Sequence, residues 1–442
     1  MNASLTTVKT AAESALANTF AEARGHLPGD REVAAQRVAA FDVFAKQGLP
    51  HRRIEEWKYT DLRALMREAK PLAGLPDAAD KAQAKTAGSM LGDVEVRRLT
   101  FVDGAFVPEL SDLKGLESGL SITSLADALA GGDPAVVTHL GKIAPAGDVA
   151  VALNTALMGD GAVIHIDGGA TIARPLHLCF VATQKPAATF VRSLVTVAPG
   201  ARVMLIESHE GPAGSDYQVN SALELFVAER AHIDHVKIIA DGSDALHVST
   251  LAAAIAARAR FNTFSFTMGG AVVRNQMFLN FDGEDTVAGI RGATLLGGRQ
   301  HADTTLFVNH IARGCQSREV FKTVLGGESH GVFQGRIVVR RGAQKTDAKM
   351  MTQALLLSDR AEADNKPELE IYADDVQCGH GATAGALDDE LKFYLMARGI
   401  PAAEAEALLI RAFVGEAIEG IEHAGLREAL MDSVVAWLKT RK

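Results

Sequence analysis

The 442-residue sequence has only three cysteines, Cys179, Cys315 and Cys378, widely spaced and odd in number. That is no disulfide framework; it fits a reducing cytosol, so a cytoplasmic location is expected. No CxxC pair occurs, which argues against a self-contained zinc site or a cluster held by four thiolates of this chain. No stretch approaches the roughly 18 consecutive apolar residues of a membrane span. The start, MNASLTTVKTAAESALANTF, lacks the basic and apolar regions of a secretory signal and reads as an amphipathic, alanine-rich helix. Also missing are a GxxxxGKS/T phosphate loop, HExxH, GxSxG, and a GxGxxG between strand and helix. A P-loop nucleotide site in this chain is thereby excluded. Forty-five basic residues against 54 acidic leave a net charge of −9, with no general pull on nucleic acid or an anionic membrane. The pairs Arg52-Arg53 and Arg340-Arg341 are too short to reverse that.

What is present divides the chain in three. Residues 1–145 read as a mainly helical N-terminal domain with a small β-hairpin. Alanine, leucine and charged residues at helical spacing run to about Lys70. Asp103-Gly104, set between two alternating apolar runs, marks the hairpin. A further helix is expected near Ser124 to Ala130. Residues 146–380 change character, with short runs of valine, isoleucine, leucine and phenylalanine separated by glycine. Four runs superimpose: Gly200–Ile206, Arg230–Val236, Arg258–Phe264 and, more weakly, Glu284–Ile290. Their starts lie 30, 28 and 26 residues apart. Near-regular strands with small-residue starts at tight corners favour a stacked β-helix over an ordinary sandwich. Residues 381–442 are helical again. Asp388 is placed to cap a helix, Arg398-Gly399 to end it, and Pro401 to open the next. Leu409, Phe413, Ala417 and Ile421 form one apolar stripe, which either covers the end of the solenoid or docks a partner.

Most candidate ligands have a plain structural reading. Asp374 and Asp375 are adjacent on a strand and point apart, so they cannot share one substrate. His232 and His235, at odd spacing, fall on opposite faces. His165, His177 and Cys179 lie in apolar runs that suit structural residues. Cys315 has cationic neighbours that could lower a thiol pKa, yet a structural role is favoured there also. Cys378 and His380 differ: separated by one glycine at the end of a strand, they can aim at one side. Thiolate and imidazole suit iron, zinc or copper(I). Two ligands make half a site, and from spacing alone a Cys-x-His pair is more often structural.

Two stretches add a resemblance. One is Arg52–Leu62 (RRIEEWKYTDL). The other combines Lys345–Ala348, Leu355–Asp359, Pro367–Ile371, Asp374–Thr383 (DDVQCGHGAT) and Phe393–Ile400 (FYLMARGI). Together they resemble the SufB/SufD family of iron–sulfur cluster assembly proteins, the Cys-Gly-His-Gly-Ala-Thr form being closer to the SufD branch. The resemblance implies a mixed, mainly β fold, with a right-handed parallel β-helix core flanked by N-terminal and C-terminal α-helical domains. It implies a non-catalytic scaffold subunit, partnered by a SufB-like paralogue and a SufC-like ABC ATPase. ATP would bind only through SufC. His380 would join a transient iron–sulfur cluster at the interface with SufB, with Cys378 beside it. Phe393, Tyr394, Leu395, Leu409, Phe413 and Ala417 would belong to the helical region that docks the ATPase. Cluster type, the route of iron, a reduced flavin in the complex and a homodimer of the isolated chain are left open. The competing readings are a β-helix carbohydrate-active enzyme or acyltransferase, and a purely structural subunit.

Overall fold

The computed structural model describes residues 9–440, so the share of the expected first helix that falls in residues 1–8 lies outside the described residues. Sixteen strands between Ala162 and Gly385 alternate between two sheets and make eight coils of two strands each. Every strand pairs parallel with the strand two further on in sequence, as Leu246–Ile255 does with Val272–Phe281. A sandwich of hairpins would give antiparallel neighbours; this is a parallel β-helix. The four superimposable runs occupy successive positions in one sheet, Arg202, His232, Arg260 and Val287 standing side by side.

The corner leading into that sheet explains the repeat. At six successive corners one residue takes a left-handed backbone: Gly200 (φ 71°), Arg230 (58°), Arg258 (56°), Asp285 (57°), Gly314 (75°) and Lys345 (64°). Such a conformation costs a non-glycine residue about 1–2 kcal/mol. A ladder of backbone bonds holds it: Gly200 N–H donates to Glu229 O at 2.9 Å, Arg230 to Ala257 at 3.0 Å, and Arg258 to Glu284 at 2.8 Å. The next residue turns inward where space is short, and at these six corners it is small and buried: Ala201, Ala231, Ala259, Thr286, Cys315 and Thr346. The fourth corner falls on Asp285, one residue later than the sequence alignment placed it.

Burial of the strands is not confined to their inward positions. Leu246–Ile255 is buried at nine of its ten positions, because helices cover both outer faces. Helices Ala11–Ala23, Arg31–Gln47 and Val149–Leu157 share a core with Ala188, Phe190, Leu246 and Val248 of the nine-stranded sheet. Helices Ala402–Ile418 and Ala424–Thr440 place Ile410, Val414, Ala417, Ile418, Leu430 and Val434 on Ile206, Ile238, Phe266 and Leu295 of the ten-stranded sheet. The C-terminal apolar stripe therefore covers a flank of the solenoid rather than its end.

The Asp103-Gly104 hairpin forms, pairing Phe101 with Phe106. It is not separate from the solenoid. Its strand Arg97–Val102 pairs parallel with Leu176–Val181, because Leu99 and Phe101 belong to the interior core. Helix Leu125–Gly131, capped by Ser124, stands where the sequence places it. Among the described residues no such layer closes the opposite end. Strands Glu362–Ile371 and Gln377–Gly385 are the last of their sheets, the first mostly half-buried and the second mostly exposed.

Candidate functional site

Cys378, Gly379 and His380 lie on that final strand, at the open end of the ten-stranded sheet. The register sets Cys378 beside Ala348 and His380 beside Met350. Ala348 and Met350 are buried in the solenoid interior, and Cys378 packs against the same core. The two candidate ligands therefore continue inward-facing rows past the last covered coil. Cys378 is half-buried and His380 exposed. A groove of about 470 Å³ runs along this edge, lined by Arg318, Lys349, Met351 and Gln377 with Cys378 and His380. Both glycines of the motif belong to it. A Cβ at Gly381 would lie 2.8 Å from Met351 Cε, whereas one at Gly379 would meet nothing.

Burial pushes the Cys378 thiol above its ordinary pKa, and the carboxylates of Asp347 and Glu319 add to that, while a backbone hydrogen bond at Ala348 opposes it. The protonated thiol is therefore favoured over the thiolate. No third donor side chain among the described residues converges on Cys378 and His380 within metal-binding reach.

Sequence reasoning missed Glu319. It stands in the same cross-strand row as Met350 and His380, fully buried. No hydrogen bond of ordinary geometry reaches either carboxylate oxygen. Burial raises its pKa to about 7, although the Ser317 hydroxyl, its own backbone and Arg318 ease the charge. The available signal was its spacing, which puts a glutamate at an inward position in line with Ile290 and Met350.

The surface expected to meet the ATPase splits in two. Phe393 (72% exposed) and Tyr394 (53%) project from helix Asp389–Met396, joined by Leu391 and Met396, with Leu395 half-buried. The Arg398 guanidinium lies over the Tyr394 ring at 3.3 Å. Asp388 caps this helix and Gly399 (φ 83°) ends it, as expected, while Pro401 takes the cap position of the next. Ala417 is instead fully buried on its own sheet, because its face of the helix supplies the solenoid's cover. Phe413 is half-buried under Lys322, whose Nζ lies 4.6 Å from the ring, and Leu409 is half-buried on the same helix.

The remaining candidates have structural roles. His177 Nε2 meets Ser208 Oγ at 2.8 Å, and burial, with Arg98 nearby, drops its pKa to about 3. His165 Nδ1 meets Thr196 Oγ1 at 2.6 Å. Burial raises the Cys179 thiol to about 11. His235 bonds Glu207 at 2.9 Å inside the solenoid, whereas His232 lies beside Asp234 on the outer face. Asp375 pairs with Lys345 at the surface. The Arg52–Leu62 motif is a clasp. Trp57 is buried, Arg274 donates to the Glu56 carbonyl at 2.7 Å, and Glu55 pairs with Lys366 on the terminal strand.

The comparisons agree with this architecture. Residues 180–413 match the model described as SUF system FeS cluster assembly, SufBD core domain, and residues 11–178 match the SufBD protein N-terminal region. This chain belongs to the SufBD family. It is similar to the iron-sulfur cluster assembly SufBD family protein of Synechocystis, 32% identical over 90% of each chain. It is 33% identical to the iron-sulfur cluster assembly protein SufD of Escherichia coli, over 87% of this chain and 88% of that one. A chloroplastic Arabidopsis thaliana protein, ABCI7, is 27% identical over 65% of this SufBD chain and 62% of its own length. A SufBD core domain therefore spans most of the solenoid and reaches into the C-terminal helices. No helix among the described residues is long and apolar enough to cross a membrane.

Proposed function

We propose that this SufBD protein is the SufD-like subunit of a cytoplasmic complex with a SufB-like paralogue and a SufC-like ABC ATPase. It acts as a non-catalytic scaffold for building an iron–sulfur cluster. The cluster is cargo, held at the interface with the paralogue by His380, with Cys378 beside it. The observation that carries this reading is the placement of both side chains on inward rows at the unpaired end of the solenoid. The edge supports it too. Gln377–Gly385 has no acidic or basic residue besides His380, whereas Glu362–Ile371 carries Pro367 and five acidic or lysine side chains. Proline and charge block strand addition, and their absence invites it. A second chain would pair along Gln377–Gly385 and complete the ligand set. The same edge would pair two copies of this chain when the paralogue is missing.

ATP would act through the ATPase docked on Phe393, Tyr394 and Leu395, where the Phe393 ring is the most exposed large apolar side chain of its helix. A reduced flavin in the complex would supply electrons without a site assigned here. The test is co-expression with the two partners, then anaerobic reconstitution with ferrous iron and sulfide. His380→Ala should still form the complex but hold markedly less iron and sulfide, and Cys378→Ser should lose less. A His380→Ala complex with full iron and sulfide that matures clusters normally in vivo would sink the ligand role and leave a purely structural subunit.

A further inference from the structure

His232 and Asp234 lie two residues apart on strand His232–Ala240, so both face outward while Ile233 between them enters the solenoid core. They meet Glu422, which sits on the connection between helices Ala402–Ile418 and Ala424–Thr440. One ligand-competent atom of each of the three lies within 4.8 Å of the others. His232 Nε2 is buried and pairs with Asp234 Oδ2 at 3.2 Å, off the line of a good hydrogen bond. With the Glu422 carboxylate inside the same 4.8 Å, the ring nitrogen and both carboxylates can reach one cation, which would replace the His232–Asp234 pair. The other Asp234 oxygen, Oδ1, accepts from Asn262 Nδ2 at 2.8 Å, which fixes the carboxylate and leaves Oδ2 turned to the site.

From this geometry we infer a binding site for a borderline divalent metal ion, held by His232, Asp234 and Glu422. One imidazole and two carboxylates suit zinc, cobalt, nickel or manganese, with water filling the remaining positions. The site is independent of the cluster-building edge, since none of its residues lies on the terminal coil. It joins a solenoid strand to the loop between the helices that cover that sheet, so a bound ion would tie the two together. Arg260 is the competitor: its Nη1 lies 3.9 Å from Glu422 Oε1, and both side chains are more than half exposed. Metal binding would take Glu422 from a loose surface ion pair, which is worth little.

The probe is zinc, titrated calorimetrically into the full chain carrying Cys378→Ser and His380→Ala, so that the edge ligands are silent. One zinc per chain should bind and raise the unfolding temperature. Cobalt(II) should give visible d–d bands without the near-ultraviolet band of a thiolate ligand. Glu422→Gln, at an exposed position that leaves the fold intact, should abolish the stoichiometric site, as should His232→Ala. Asn262→Ala should weaken binding about tenfold. Arg260→Ala should strengthen it, which a purely structural cluster would not do. Zinc binding that is absent in the parent chain, or unchanged in Glu422→Gln, overturns the site.

Discussion

Arg274 lays its guanidinium on the face of Trp57, 4.4 Å from the ring centroid, and pairs its other side with the buried carboxylate of Asp303. Asp303 also accepts from Thr60 Oγ1, so Trp57 and Thr60 of one short motif are both fixed to the nine-stranded sheet. Trp57→Ala should cost about 4 kcal/mol in urea unfolding, combining lost burial with loss of the cation–π contact. Trp57→Phe keeps a ring over the guanidinium and should cost less than half as much. A loss below about 1 kcal/mol for Trp57→Ala would show that the motif does not anchor the N-terminal region.

Glu319 predicts an inverted pH dependence. Its folded pKa of about 7 lies above the ordinary value of 4.5, so the folded state holds the proton more tightly. Its contribution is intact below about pH 4.5 and is lost as pH rises through 7. The full cost at pH 8 is about 3 kcal/mol. Glu319→Gln should therefore be more stable than the wild type at pH 8, with the gain shrinking toward pH 5. Urea titrations at the two pH values measure it, and an equal difference at both would refute the assignment.

Cys315 occupies the inward corner position held elsewhere by alanine or threonine, and its thiol donates to Gly283 O at 3.3 Å. Cys315→Ala should change stability by less than about 1.5 kcal/mol and leave cluster assembly intact. Cys315→Leu should cost about 1–3 kcal/mol, because the corner ladder has no room for the added methyl groups. Loss of assembly activity in a stably folded Cys315→Ala chain would reassign it as a functional thiol.

Lys237 and Glu207 form a buried ion pair at 3.4 Å in the solenoid interior, with Lys237 also donating to Ser249 Oγ at 2.5 Å. Lys237→Met alone should cost about 3–5 kcal/mol, since it removes the cation beside the buried Glu207 charge and leaves it the His235 hydrogen bond. Adding Glu207→Gln should recover much of that loss. Additive costs in the double variant, read from thermal or urea unfolding, would mean that the two charges do not depend on each other.

The solenoid was legible because its corners repeat. A small or charged residue before an inward alanine recurs at Gly200, Arg230 and Arg258, and a parallel coil must turn at the same place each time. Burial of the outer strand faces was not legible. It depends on helices Val149–Leu157 and Ala402–Ile418, whose docking faces cannot be read from the strands they cover. The same limit affects Ala417, whose place on an apolar stripe fits a partner surface and its own sheet equally well.

The sequence by itself determined the repeat, the helical ends and the Cys378–Gly379–His380 motif, because these depend on local periodicity and on residues adjacent in the chain. Tertiary structure decided that this motif faces an open end with no closing layer. It also placed Glu319 in the His380 row and brought Glu422 to His232 and Asp234. Those relationships cross coils and layers. They are fixed by strand register and helix docking, which follow from the packing of the whole core rather than from any one segment.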